Sequence, residues 1–248
     1  MSLSRVFTSS FGADSGVVYA AAPVIADSDI QGFGGASADN DFDTSNLDVT
    51  GADILAFLGW NGSSAGFTSF SGLTDDTSSS IDEVDTQPRF FLRDVAVVGS
   101  KDATWRMATS SGTRPVIGCM SVTGLDSVQV SSFEAGSGSA LPSHSSMVAT
   151  GGPKNIMVLR AFVIFGAHET NPATVPAGHT LVMQEPATAN DPSSTARVTV
   201  GVASREYGVG DLSWDGSGEA TIPAATWGGL DDIGTQNWRT VTVILKPA

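Results

Sequence analysis

Apolar residues in this chain gather in short runs, each bounded by glycine, serine or aspartate. From Asp53 onward the runs cover residues 54–60, 89–98, 103–108, 116–123, 156–165, 180–185, 196–203, 219–222 and 238–245. All have strand length, and no sustained 3.6-residue period competes with them. In the run 238–245, Val241, Val243 and Leu245 alternate with Trp238, Thr240, Thr242 and Ile244. Alternate side chains of a strand point to opposite faces, so this strand is apolar on one face and mixed on the other. Such a pattern suits a sheet packed against a second sheet. The run 156–165 is nearly continuous in apolar residues, as expected of a strand central to a sandwich. In contrast, Ala196, Val198, Val200 and Val202 alternate with Arg197, Thr199 and Gly201, which predicts a half-exposed strand. Turn chemistry separates the runs at Asn61-Gly62, Ser110 to Gly112, Gly136 to Gly138, Gly151 to Pro153 and Asp215-Gly216. The pattern predicts an all-β protein, a jelly-roll-like β-sandwich of roughly nine strands.

Residues 1–48 have a different character, dominated by Ser, Ala, Gly and Asp, with Phe7, Phe11, Tyr19, Phe33 and Phe42 widely spaced. They read as an extended N-terminal arm that pairs with a sheet edge or docks on a neighbouring subunit, leaving 49–248 as one sandwich domain. Formation of the first strands of the same sandwich is the competing reading of this segment.

Length and charge narrow the function classes. A single domain of 248 residues buries roughly 70–75% of its unfolded surface, enough for a core without disulfides. The lone Cys119 lies in the apolar run 116–122 and reads as a small buried hydrophobe. The formal charge is −14, with 12 basic and 26 acidic residues. That balance disfavours direct nucleic-acid binding, which needs clustered basic residues to neutralise phosphates. No run of about 18 apolar residues is present, so membrane insertion is not expected. Residues 17–26 superficially resemble the core of a secretion signal, but Asp14 precedes them, Pro23 interrupts them and Arg5 alone supplies positive charge. The expectation is synthesis in a cytoplasm without a signal peptide.

The candidate chemistry is sparse. Gly62 to Gly66 fits the letter of a nucleophile elbow centred on Ser64, but the following residues 67–72 are not helical. His144, His168 and His179 are scattered and read as solvated loop residues. His168-Glu169 lacks the second histidine of a zinc-hydrolase helix, since that position holds Pro172. Asp39, Asp41 and Asp43 have the opening spacing of a calcium loop, yet Thr44 and Thr50 stand where its glycine and glutamate belong. A solvated acidic turn is expected there, and a charged loop at Asp75, Asp76, Asp82, Glu83 and Asp85. No metal, cofactor or catalytic residue is predicted. Of the five tryptophans Trp60, Trp105, Trp214, Trp227 and Trp238, most sit beside apolar runs and read as packing residues. Trp214 and Trp227, in the glycine-rich region 208–234, are the candidates for ligand binding by stacking on sugar rings.

The segments GADILAFLGW (51–60), FFLRDV (90–95) with ATWRM (103–107), NIMVLR (155–160), PAGHT (176–180) and WRTVTVILKP (238–247) occur in an order and spacing that resembles β-sandwich virion proteins of tailed bacteriophages. The resemblance covers roughly residues 50–248 and extends to head decoration, fibre and tail-associated proteins. It implies a non-enzymatic structural protein on a virion surface, decorating or cementing the capsid with the major capsid protein as partner. A homo-oligomer is expected, with a trimer as the best single symmetry. A tail or fibre module that binds host-surface glycan is the alternative, followed by a glycan- or ester-hydrolysing enzyme.

Overall fold

Ile156–Phe165, the longest apolar run, lies at the heart of a six-stranded sheet, and the rest of the architecture follows from covering both of its faces. The computed structural model describes residues 17–32, 39–43, 47, 53–60, 69–71, 80–84, 89–95, 104–108, 116–137, 140–165, 173–186, 198–230 and 237–248. Within these residues the protein is all-β, and every ladder between strands is antiparallel.

The first sheet comprises β1 (Val24–Gly32), β3 (Asp53–Trp60), β5 (Ser80–Val84), β6 (Arg89–Val95) and β8 (Val116–Thr123), in the spatial order β1-β8-β3-β6-β5. A smaller sheet joins β2 (Asp39–Asp43), β7 (Thr104–Ala108) and β4 (Ser69–Ser71) in that order. The second large sheet contains β9 (Leu125–Val130), β10 (Glu134–Gly136), β13 (Ile156–Phe165), β14 (Thr180–Pro186), β15 (Val198–Tyr207) and β18 (Trp238–Pro247). Its order is β10-β18-β13-β15-β14, with β9 also on the β18 edge. Two short pairs complete the set: β11 (Ser143–His144) with β17 (Ala225–Thr226), and β12 (Met147–Ala149) with β16 (Ala220–Ile222).

The two large sheets face each other across one apolar core. Leu55, Phe57, Val116, Met120 and Val122 from the first meet Leu159, Ala161, Val163, Val198, Val200, Val202, Val241, Val243 and Leu245 from the second. Every contributor from β13, β15 and β18 follows the two-residue alternation of a strand. Two glycines set the spacing. A Cβ at Gly59 would fall 2.6 Å from Val200 Cγ2 and 2.7 Å from Val163 Cγ2, so only the bare backbone permits the approach. At Gly118 the nearest atom is the Met183 sulfur, 2.7 Å from an ideal Cβ.

The outer face of the second sheet is also covered. Phe162, Ile164, Ala203 and Trp238 pack beneath Trp227 and Leu230, while Ile156, Val158, Tyr207 and Ile244 pack beneath Ala149 and Ile222. This added layer explains why β13 is apolar on both faces. It also corrects the expectation of a half-exposed strand at β15, because Thr199 and Gly201 are buried along with the valines. At Gly201 an added Cβ would fall 2.4 Å from the Phe162 ring, so the residue that looked like a polar-face position makes room for an aromatic.

The sandwich is built in succession along the chain, a refinement of the jelly-roll-like expectation. Strands up to Thr123 form the first sheet and its neighbour; strands from Leu125 onward form the second and the two short pairs. Gly124, at φ +72°, turns the chain from one sheet to the other. A left-handed φ of this kind favours glycine, which has no Cβ to clash.

Two further expectations need correction, and a third is decided between its alternatives. Strands outnumber the roughly nine expected, because pieces of two or three residues such as β10, β11, β12 and β17 carry no readable period. Of the placements expected for residues 1–48, strand β1 takes the sheet edge, where it pairs with β8 along Val24–Gly32. Its edge position and half-exposed side chains explain why it lacks the apolar signature of an inner strand. Finally, Asp39–Asp43, expected as a turn, is strand β2, and Asp82 and Glu83 lie in β5. Residues 1–16, and with them Phe7 and Phe11, lie outside the described residues.

Candidate functional site

Polar groups converge where the outer face of the second sheet meets its covering loops. In β13 and β18, the ladder sets Arg160 opposite Thr242, both on the face away from the inter-sheet core. Arg160 is wholly buried. Its Nη1 donates to Thr242 Oγ1 and its Nη2 to the Pro223 carbonyl, while Nε has no partner. Burial pushes the guanidinium pKa down, partly offset by Tyr207 and Glu134. A buried cation of this kind is costly unless its donors are satisfied, because it has lost its hydration.

Beside it, His144 is 2% exposed, which corrects the expectation of a solvated loop residue. The indole Nε1 of Trp227 donates to His144 Nε2 at 3.2 Å. Since Nε2 accepts, the ring proton sits on Nδ1, which lies 3.3 Å from Thr242 Oγ1. Protonating Nε2 would set it against the indole N–H. Burial, then Arg160, then His179 hold this histidine well below its ordinary pKa. The result is a neutral, fixed imidazole that ties the loop to the sheet.

An open cleft of about 280 Å³ lies over this network, lined by Ala177, His179, Arg205, Tyr207, the 223–225 segment and Thr226. Its cationic wall is built by a turn. His179 N donates to Pro176 O at 3.0 Å, and Gly178 has φ +75°, the geometry of a type II turn with glycine at its third position. The missing Cβ also matters: one at position 178 would fall 2.8 Å from Arg205 Nη1. On its other side the Arg205 guanidinium lies 4.4 Å from the centroid of the Tyr207 ring, a cation–π distance. Arg205 is therefore held between a backbone and an aromatic face. His179 Nδ1 lies 3.1 Å from Ala177 O and, facing a carbonyl, donates to it. Nε2 is thereby left as an acceptor without a partner. Burial is the main cause of the lowered His179 pKa; Arg160 and Arg205 lower it further, against the raising effect of the Ala177 and Pro176 backbone bonds.

The tryptophans stand differently from the sequence expectation. Trp227 is 0% exposed and meets Phe162 edge-on at 4.7 Å between centroids, so it presents no face to a sugar. Trp214 is half-buried, packed against the cluster around Tyr207 and Ile222, with its Nε1 buried and unpartnered. Trp238 is buried and donates to Ala140 O. The flanking glycines suggested exposure, whereas they serve turns in the covering layer. Cys119 is buried, as expected, and burial together with Asp29 pushes its thiol pKa up. Ser64, His168, Asp75, Asp76 and Asp85 lie outside the described residues, as do the side chains of Trp60 and Trp105.

Sequence reasoning passed over Arg205 and treated His179 as solvated. Two signals were available: an arginine in the middle of the apolar run 156–165, and glycine at the third position of Pro176 to His179. No family model matches the chain, and neither the curated proteins nor the solved structures provide a match.

Proposed function

We propose that this chain is a non-enzymatic structural protein of a tailed-phage-like particle, a homo-oligomer that decorates or cements the capsid surface through contacts with the major capsid protein. The resemblance in segment order motivates the role. The observation that carries it is an apolar strip where the chain enters the sandwich. Val17, Val18, Tyr19 and Val24 are all exposed, Val18 at 94%. Asn155 Nδ2 donates to Ala20 O at 2.7 Å and holds the strip against the sandwich. Consecutive exposed apolar residues beside an edge strand are the kind of surface that a neighbouring subunit covers.

Mass spectrometry of purified particles tests the reading, with a copy number in the hundreds expected for a head decoration. The double substitution Val18→Asp/Tyr19→Ser in the full chain should leave the melting transition unchanged and strongly reduce incorporation into particles. Normal incorporation would refute the attachment strip, and absence of the parent protein from particles would refute the role.

The cleft of His179, Arg205 and Tyr207 favours a second reading, a tail or fibre module that binds host-surface glycan. It moves the binding site away from Trp214 and Trp227. Low copy number together with sugar binding at the cleft would select it.

A further inference from the structure

We infer that Asp27 and Asp29 hold the outward flank of β1 shut against strand pairing, and that the partner they exclude is the same edge of a second copy of this chain. This edge adjoins the apolar strip of residues 17–24 but works through backbone groups. Its behaviour therefore does not depend on what the strip or the cleft binds.

β1 is the terminal strand of its sheet, laddered to β8 on one flank. Successive residues of a strand aim their N–H and C=O groups at opposite flanks. The Asp27 carbonyl points toward β8, where Ser121 Oγ reaches it at 3.5 Å, so the backbone groups of Ser28 and Ile30 point away from β8. Those two N–H groups are occupied by the chain itself. Asp27 Oδ1 accepts from Ser28 N at 2.8 Å, and Asp29 Oδ1 accepts from Ile30 N at 2.9 Å. Each carboxylate takes the donor of the residue that follows it, and these donors are what an added strand would need. β14, the terminal strand of the opposite sheet, meets β1 through side chains on the core side. Ser28 Oγ donates to Val182 O at 3.5 Å, while Ile30 Cδ1 and the Met183 sulfur both lie against Gly118. No ladder joins β1 and β14 among the described residues.

Charge adds to the capping. Antiparallel pairing of two β1 strands with Ser28 opposite Ile30 would use both outward N–H groups of each copy. It would also set Asp29 directly opposite its own counterpart, a destabilising arrangement for like charges. Asp27 lies on the same face two residues away. An isologous contact needs only one self-complementary patch, so an uncapped β1 edge would find its match on every other copy. The two aspartates remove that match by filling the donors and by placing acid against acid.

The test is light scattering of the full chain, comparing Asp27→Ala/Asp29→Ala with the parent over a wide range of concentration. The double variant should gain a concentration-dependent species of at least about twice the parent's mass, the minimum for a new two-fold contact. Hydrogen exchange of residues 27–31 should slow as that species forms. Ser28→Pro in the double-variant background removes one outward N–H, a change tolerated on an edge strand, and should restore the parent's mass. Asp27→Asn/Asp29→Asn keeps a side-chain oxygen for each N–H but discards the charge, and should associate more weakly than the alanine pair. Circular dichroism melts of each variant establish that the fold is retained. An alanine pair with the parent's mass at every concentration overturns the guarding role. Association that Ser28→Pro leaves intact, or that Val18→Asp/Tyr19→Ser abolishes, overturns β1 as the contact and assigns it to unfolded chain or to the apolar strip.

Discussion

Replacing Gly59 with alanine tests the packing of the two large sheets at its tightest point. The added methyl carbon would sit 2.6 Å from Val200 Cγ2 and 2.7 Å from Val163 Cγ2, whereas carbon–carbon contacts are most favourable at about 3.5–4.0 Å. The sheets or the valines must therefore withdraw by about 1 Å. Valine has little rotamer freedom in a strand, and both valines are fully buried. Overpacking of this kind costs about 1–3 kcal/mol, offset by about 0.4–1 kcal/mol from the smaller entropy of the unfolded alanine chain. A net loss of about 1–2 kcal/mol is expected, which lowers the melting temperature by roughly 2–8 °C for a domain of this size. Gly118→Ala provides the control: its new methyl meets the Met183 sulfur, and a flexible thioether moves aside more easily than two valines. In chemical denaturation, Gly59→Ala and Val200→Ala should couple, the double variant being more stable than the sum of its parts by at least about 0.5 kcal/mol. Additivity within about 0.3 kcal/mol, or a Gly59→Ala variant as stable as the parent, would refute the face-to-face packing described for these strands.

Acid should destabilise the fold through its histidines. His144 and His179 both have pKa values below the ordinary 6.5, so the unfolded chain takes up their protons first. Their contribution is complete above about pH 6.5 and declines as pH falls toward the lower folded values, at no more than about 1.4 kcal/mol per pH unit for each histidine. His144→Gln should flatten part of that slope in melts between pH 7 and pH 5, a window set by the ordinary histidine range. Arg160→Ala should cost about 3–5 kcal/mol, combining a cavity with two acceptors deprived of their donor; denaturant melts indistinguishable from the parent would contradict the buried network. Cys119 should resist an aromatic disulfide reagent in the native protein and react fully after denaturation; rapid native labelling would show that the strand is accessible.

The parts of the fold legible in sequence were those where burial imposed an uninterrupted pattern. The run 156–165 coincides with β13, and the alternation in 238–245 assigns the correct faces of β18. Strand β1 was legible only as an arm able to pair with a sheet edge, without bounds, because an edge strand with half-exposed side chains needs no apolar run and its register shifts between Ile25 and Asp27. Burial of Thr240 and Thr242 was equally hidden. Their mixed face looked like a surface face until the covering layer supplied hydrogen bonds, such as Thr240 Oγ1 donating to Ser143 O. The cleft joins residues 26 positions apart in sequence, His179 and Arg205. They become neighbours through the β14–β15 ladder, in which Thr180 pairs with Ser204. Register is a tertiary property, so spacing along the chain did not reveal the site. Trp227 misled for the opposite reason: its local composition suggested a surface loop, while Phe162 and His144, far away in sequence, bury it.

The placement of β18 has a consequence for biosynthesis. This strand forms ladders with β9, β10 and β13, so the second sheet has a gap on one side of β13 until residues 238–247 emerge from the ribosome. The first sheet, whose strands end at Thr123, can pair its own edges while those residues are still being made. During that interval its core face lacks the cover that β13, β15 and β18 supply. A pause in translation after residue 123 would lengthen the exposure of that sticky surface, and a nascent chain stalled before residue 238 would present the unpaired flank of β13 to whatever strand edge it met first.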